Sequence, residues 1–276
     1  MTNEGKIIRI ISNLYTVVAH DKRYECRARG KFRNDKVTPL VGDLVVFDAE
    51  KGIIEEIKTR KNELKRPPIA NVDAALIITS VKKPDLSLSL LDKQLLCVLN
   101  EGIEPIIVLT KCDLLSIEES RDIKAIVKDY KKAGFKVITN KNIFRLKCLI
   151  KNKTLVLTGQ TGAGKSTLLN KLDKRLNLKT NPISEALGRG VHTTRHTELF
   201  EIGKTLIADT PGFSALDVLI DKDKIKDLYP EFKGCSCKFD NCMHINEKNC
   251  GVKEKLASGE IRQSRYDNYV KFRSEL

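Results

Sequence analysis

The segment Gly159-Gln-Thr-Gly-Ala-Gly-Lys-Ser166 constrains this chain more than any other. It fits GxxxxGK[ST], follows the apolar run 154–158 (TLVLT) directly, and opens a helical pattern over 165–176. That strand–loop–helix context is the one the motif requires. Glycines permit backbone conformations closed to other residues, so successive N–H groups can converge on a polyphosphate, and the helix N-terminus adds partial positive charge. Lys165 is placed to reach β- and γ-phosphates, and the Ser166 hydroxyl to hold Mg²⁺. The stretch Gly159, Gln160, Thr161, Gly162, Ala163, Gly164, Lys165, Ser166 and Thr167 is therefore expected to cradle a nucleoside triphosphate.

Around this loop, continuous apolar runs alternate with helical patterns. Strands are expected at 73–79, 104–110, 135–139, 154–158, 197–202 and 204–208, with helices at 89–101, 117–133 and 165–176. Ser116 and Glu119 form a capping box for the second helix and Gly134 ends it. Strand–helix alternation of this kind predicts a parallel sheet covered on both faces.

The flanks differ. Residues 1–64 read as five short strands (6–11, 14–19, 23–29, 43–48 and 52–58), which predicts a small barrel of the OB-fold type. Pro67 and Pro68 mark a hinge after it. Beyond 221 the chain is polar, carries a cysteine cluster, and ends in a helix near 259–273. Three parts are expected: a barrel at 1–64, an α/β P-loop domain at 65–220 and a C-terminal module at 221–276.

Net charge is +14, with 50 basic and 36 acidic residues, and 65–220 holds 25 of the basic and 16 of the acidic ones. Such a surplus favours polyanionic partners. Aromatics are 5% and Trp is absent, which excludes base stacking as the main binding device. No stretch approaches the ~18 apolar residues of a membrane span, and MTNEGKIIRI has no signal-peptide pattern. A cytoplasmic protein without a membrane partner is expected.

Thr110-Lys111-Cys112-Asp113 ends the apolar strand IIVLT and is similar to the guanine-reading [NT]KxD motif of small GTPases. Guanine offers N1–H and the exocyclic amine as adjacent donors, and one carboxylate accepts both. Adenine would set a lone pair against Asp113. The Lys111 stem can lie along the base. Thr110 stands where many GTPases carry Asn, and it lacks the amide that braces the phosphate loop there. Asp209-Thr-Pro-Gly212 ends the strand 204–208: Asp209 can hold magnesium through water, and the Gly212 N–H can meet the γ-phosphate. Between loop and DTPG lies Gly188-Arg-Gly-Val-His-Thr-Thr-Arg195, offering Thr193 or Thr194 as a further metal ligand. The order is unusual. In ordinary GTPases the phosphate loop comes first and the base reader last; here 110–113 precedes 159–166, so the core reads as a circular permutation.

TKCD at 110–113, GQTGAGKST at 159–167, GRGVHTTRH at 188–196, DTPGF at 209–213 and the cysteine module together resemble the ribosome small subunit-dependent GTPase A family over nearly the whole chain. The resemblance implies slow hydrolysis of GTP to GDP stimulated by the small ribosomal subunit, contact with 16S rRNA, and a role in late subunit maturation, by a monomer. A non-catalytic RNA-binding scaffold with GTP as structural ligand is the rival from another class. The Ser-Ala motif that backs the base in GTPases has no match at Thr139-Asn140-Lys141, and no residue is assigned there.

Cys237, Cys242, His244 and Cys250 supply three thiolates and one imidazole, enough to close one tetrahedral structural Zn²⁺. Cys235 competes with Cys237; Cys237 is preferred because its spacing matches the family's. In a segment so poor in apolar residues, the metal is expected to supply much of the folding free energy. Phe213 occupies the place where Ras-like enzymes carry a water-orienting Gln. His192 and His196 are the candidates for that role, and the resemblance favours His192 as catalytic. The magnesium set is then Ser166, Thr194 and Asp209.

Overall fold

The computed structural model describes residues 2–30, 32, 37–65, 68–176, 199–208 and 220–276. These fall into two compact units. One gathers the described residues up to Ala75, Leu146–Thr158 and 166–208; the other comprises Leu76–Arg145, Gly159–Lys165 and the described residues from 220 onward.

The first unit begins with five strands, β1 (Thr2–Ile11), β2 (Leu14–Ala19), β3 (Lys22–Ala28), β4 (Leu44–Asp48) and β5 (Ile53–Ile57), closed in the order β1-β2-β3-β5-β4. β1 pairs antiparallel with both β2 and β4, and β3 runs parallel to β5, which closes the barrel. This is the OB-fold barrel that the strand count predicts. β1 starts at Thr2 rather than at residue 6 because Thr2 to Lys6 pair with β4. Alternate side chains point inward, so Ile7, Tyr15, Val17, Cys26, Val45, Phe47 and Ile54 share one core. Asp43, fully buried, receives both Nε and Nη2 of Arg60 at 2.8 Å and the Leu40 N–H at 2.7 Å.

Two short strands follow the barrel. β6 (Glu63–Lys65) lies antiparallel to β7 (Pro68–Ala70), with Leu64 and Ile69 buried. Pro68 is tolerated as the first residue of a strand. Asn62 exchanges two 2.8 Å bonds with the backbone of Val72, and the Asn71 side chain accepts from Lys61 N at 2.8 Å. These side-chain bonds join the residues that flank the strand pair.

A six-stranded sheet has the order β10-β9-β8-β11-β13-β12, from β8 (Ala74–Ser80), β9 (Glu104–Thr110), β10 (Lys136–Thr139), β11 (Thr154–Thr158), β12 (Leu199–Ile202) and β13 (Thr205–Ala208). β9 and β10 are parallel, as are β11 and β13; β12 turns back antiparallel on β13. Every residue of β8 is buried, as its unbroken apolar run requires.

The helices are α1 (Leu88–Asn100), α2 (Ile117–Lys132), α3 (Ile143–Ile150), α4 (Lys165–Leu172), α5 (Gly251–Ala257) and α6 (Gln263–Glu275). The capping box of α2 forms as expected, the Ser116 side chain accepting from Glu119 N and the Glu119 carboxylate from Ser116 N. α4 stops short of the expected residue 176: Asp173 takes the Arg175 N–H and guanidinium, and a 3₁₀ turn follows over Lys174–Leu176. α3 and α5, each too short to show a clear period, are absent from the sequence reading. No helix among the described residues is long and apolar enough to cross a membrane.

In the second unit, the C-terminal segment has a core of its own. Ile225, Tyr229, Phe232, Cys242, Cys250, Val252, Ile261, Tyr269 and Phe272 pack together with Leu96 of α1. Its aromatics converge there: Phe232 stands edge-on to Tyr269 and stacks on Tyr229, with centroids 5.0 Å apart in each pair.

Candidate nucleotide and metal sites

β11 ends in the loop Gly159–Gly164, and α4 begins at Lys165. Gly159, Gly162 and Gly164 hold φ of 147°, 76° and 90°, values that side chains oppose. Gly159 is also pressed against β8: a Cβ there would lie 2.1 Å from the Ile78 carbonyl oxygen. The Lys165 ammonium donates to the carbonyls of Gly159 (2.7 Å) and Gln160 (3.0 Å), holding it over the loop. Ala163 and Ser166 are buried, while Thr161 and Thr167 are exposed.

The base-reading tetrapeptide meets this loop. Thr110, the last residue of β9, is buried, and its hydroxyl contacts two acceptors, the carbonyl oxygens of Ala163 and Thr79. The brace that an Asn would give is therefore replaced: a hydroxyl reaches the loop where an amide was expected to be missing. Lys111 adopts a left-handed conformation (φ 57°) and its ammonium donates to the Lys83 carbonyl. Cys112 and Asp113 open a 3₁₀ turn. Burial pushes the Cys112 thiol above its ordinary range, with nearby Lys141 pulling the other way. Asp113 is exposed and has no partner among the described residues, so both carboxylate oxygens are available to adjacent donors.

Sequence reasoning assigns no role to Thr139–Lys141. The register pairs Thr139 with Leu109, and the Asn140 N–H donates to the Leu109 carbonyl at 2.8 Å, which sets Asn140 beside the end of β9. The Asn140 side-chain oxygen is buried without a partner among the described residues. Such an atom is a natural acceptor for a ligand's donor. The signal that could have found it is position: the first residue after the strand next to the base reader. Thr193, Thr194, His192, His196, Asp209, Gly212 and Phe213 lie outside the described residues.

The second cluster is on the C-terminal segment. One ligand atom from each of Cys237, Cys242, His244 and Cys250 lies within 4.8 Å of every other. His244 Nδ1 is 3.3 Å from Cys250 Sγ and 3.6 Å from Cys237 Sγ, and the two sulfurs are 4.0 Å apart. Sulfurs about 2.3 Å from one tetrahedral zinc stand about 3.8 Å from each other, so these spacings suit such an ion. Cys235 points elsewhere, with Sγ 3.7 Å from the Glu231 carbonyl. Burial pushes the Cys242 thiol up to about 12, so it keeps its proton unless a cation stabilises the thiolate. Burial, helped by Lys226, holds His244 below its ordinary value, leaving a neutral ring able to ligate.

The ligand loop is fixed from outside. Glu247 accepts from the N–H groups of Met243 (2.7 Å) and Ile245 (2.8 Å), while Tyr269 and Tyr266 donate to the carbonyls of Met243 and His244, each at 2.6 Å. Gly251 closes it: a Cβ there would come within 2.5 Å of the Ser236 carbonyl oxygen. Behind it Arg265, almost wholly buried, donates to Asp92 of α1 (2.7 Å) and to both oxygens of Glu231 (2.7 and 3.1 Å). Its guanidinium lies 4.6 Å from the Tyr229 ring centroid. Burial pushes the Asp92 carboxyl up, and Arg265 opposes that shift.

Comparison with known proteins shows the family. Residues 57–219 match the model of the RsgA GTPase and residues 4–54 that of the RsgA N-terminal domain. Small ribosomal subunit biogenesis GTPase RsgA of Geobacillus kaustophilus is 47% identical, covering 99% of this chain and 97% of its own. The protein of that name from Latilactobacillus sakei is 46% identical (99% and 95%), and that from Bacillus subtilis 45% (99% and 97%). Among solved structures, YloQ, a circularly permuted GTPase, superposes with a TM-score of 0.85 at 39% identity over 100% of this chain and 95% of that one. YjeQ from Thermotoga maritima gives 0.85 at 32% identity over 100% and 99%. With its permuted motif order, phosphate loop and Cys₃His cluster, the chain belongs to the RsgA GTPase family and is a GTP hydrolase.

Proposed function

We propose that this GTPase works in biogenesis of the small ribosomal subunit, binding it through 16S rRNA as a cytoplasmic monomer, with turnover stimulated by the subunit. The observation that carries the reading is the bond between the two nucleotide motifs. The Thr110 hydroxyl ties the base-reading strand end to the phosphate loop across 53 residues of chain, so one ligand can engage both.

In this reading Asp113 accepts both guanine donors and Lys111 lies along the base. Lys165 leaves the loop carbonyls for the β- and γ-phosphates, and loop N–H groups and Gly212 complete the cradle. Ser166, Thr194 and Asp209 hold magnesium, which when bound neutralises phosphate charge. His192 orients the attacking water. Cys237, Cys242, His244 and Cys250 hold one structural zinc. The division into a barrel (1–64), a GTPase core (65–220) and a zinc module (221–276) belongs to the same proposal, with the barrel and module as RNA-facing attachments.

The test is co-sedimentation with purified small subunits in the presence of a non-hydrolysable GTP analogue or GDP. Tighter binding with the analogue is expected, by about 1–3 kcal/mol, as is usual for coupled sites. Absence of binding in both states would contradict the reading.

A further inference from the structure

α2 carries a feature that neither the nucleotide site nor the metal cluster uses. Arg121, Lys124, Lys128, Lys131 and Lys132 are all exposed, and none pairs with an acid among the described residues. At 3.6 residues per turn these five positions fall within about 100° of one another. They form one stripe about 16 Å long, at 1.5 Å per residue.

The acids of the same helix fall on the adjoining faces and are partly engaged elsewhere: Glu119 takes Lys82 and caps the helix, and Asp129 takes Arg262 at 2.7 Å. α6 provides a contrast. There Arg273 pairs with Asp223, Lys271 approaches Glu275, and Arg265 is buried between two carboxylates. The cations of α6 are matched, but those on this face of α2 are not.

We propose that this face of α2 is a docking strip for the phosphate backbone of duplex RNA, a proposal that rests on the RNA-binding reading above. The residue types favour that partner. The stripe has four lysines and one arginine with no aromatic side chain among them, and lysine is depleted at protein interfaces. Duplex RNA has a deep, narrow major groove that keeps side chains from its base edges and leaves the phosphates to meet such cations. Unpaired lysines on a rigid helix neutralise phosphates without reading sequence, and they fix register rather than choose a site. The strip therefore sets how the GTPase core sits on its RNA, while recognition lies elsewhere.

The test is K124Q/K128Q/K131Q, three exposed positions outside the nucleotide and metal sites. Association with small subunits is measured from about 50 to 200 mM salt, the range over which counterion release is steep. The slope of log K against log salt should fall by about 2 to 3, close to one for each phosphate that the variant no longer neutralises. GTP affinity and unstimulated turnover should be unchanged. An unchanged slope would overturn the proposal. A short RNA duplex is titrated in parallel: a reduced slope there as well supports the RNA assignment, and a reduced slope with subunits alone overturns it in favour of an acidic protein surface. If wild type bound duplex RNA but no subunits, the ribosomal reading would fail while the strip would survive.

Discussion

The phosphate loop and the C-terminal module are held by opposite means. The loop is held locally: three glycines at positive φ, a lysine bonded to carbonyls five and six residues back, and a single brace from Thr110. The module is held from a distance, since Asp92 receives Arg265 and Asn268 from 173 and 176 residues away and Tyr130 completes its shell at 2.6 Å. A site built from neighbouring backbone can be changed one bond at a time. A site built around a buried ion cluster responds as a whole, because its charges have no water to fall back on.

The largest effect should come from the metal. The protein as purified is expected to carry one zinc per chain. Cys242→Ser should release it, giving up of order 10 kcal/mol of apparent binding free energy at neutral pH. Proteolysis should then open the segment around 235–250 and leave GTP affinity intact, which keeps the two regions separate. Fully protected, zinc-free wild-type protein by elemental analysis and limited proteolysis would break the comparison on this side.

Next is the ion cluster. Arg265→Ala leaves Asp92 and Glu231 buried without their counter-ion, and should cost about 3–5 kcal/mol in urea unfolding. A change below about 1 kcal/mol, the size of a surface pair, would mean that the cluster does not hold the module.

The two regions also differ in how far the sequence reveals them. The barrel, the sheet, the phosphate loop, the base reader and the Cys₃His set are legible because each is a short pattern whose chemistry is fixed by spacing. Three features are not. The pairing of β6 with β7 is hidden because two prolines read as a hinge, whereas the bonds that flank it come from Asn62 and Asn71. The Arg265 cluster is hidden because an Arg in a polar helix gives no sign that it is buried among Tyr130, Phe135 and Tyr229. Asn140 is hidden because its place depends on the parallel register of β9 and β10.

On the nucleotide side the expected effects are smaller and graded. Asp113→Asn removes the charged acceptor for two guanine donors and should weaken GTP by about 2 kcal/mol, roughly thirtyfold. It should improve binding of xanthosine triphosphate, whose base presents a carbonyl where guanine has its amine. Unchanged GTP affinity by titration would remove Asp113 from the site. Thr110→Val keeps the shape of β9 but takes away the hydroxyl that reaches Ala163. A weakening of about 1 kcal/mol, near fivefold in GTP affinity, is expected. A null effect would show that the loop holds itself without help from the base reader.

The central claim is that a GTP hydrolase of this family is switched on by the particle it serves. It is tested most directly by steady-state GTP turnover titrated with purified small ribosomal subunits. Slow turnover of the protein alone, rising saturably as subunits are added and remaining flat with large subunits, is the predicted result. Turnover indifferent to small subunits at concentrations where binding is complete would contradict it.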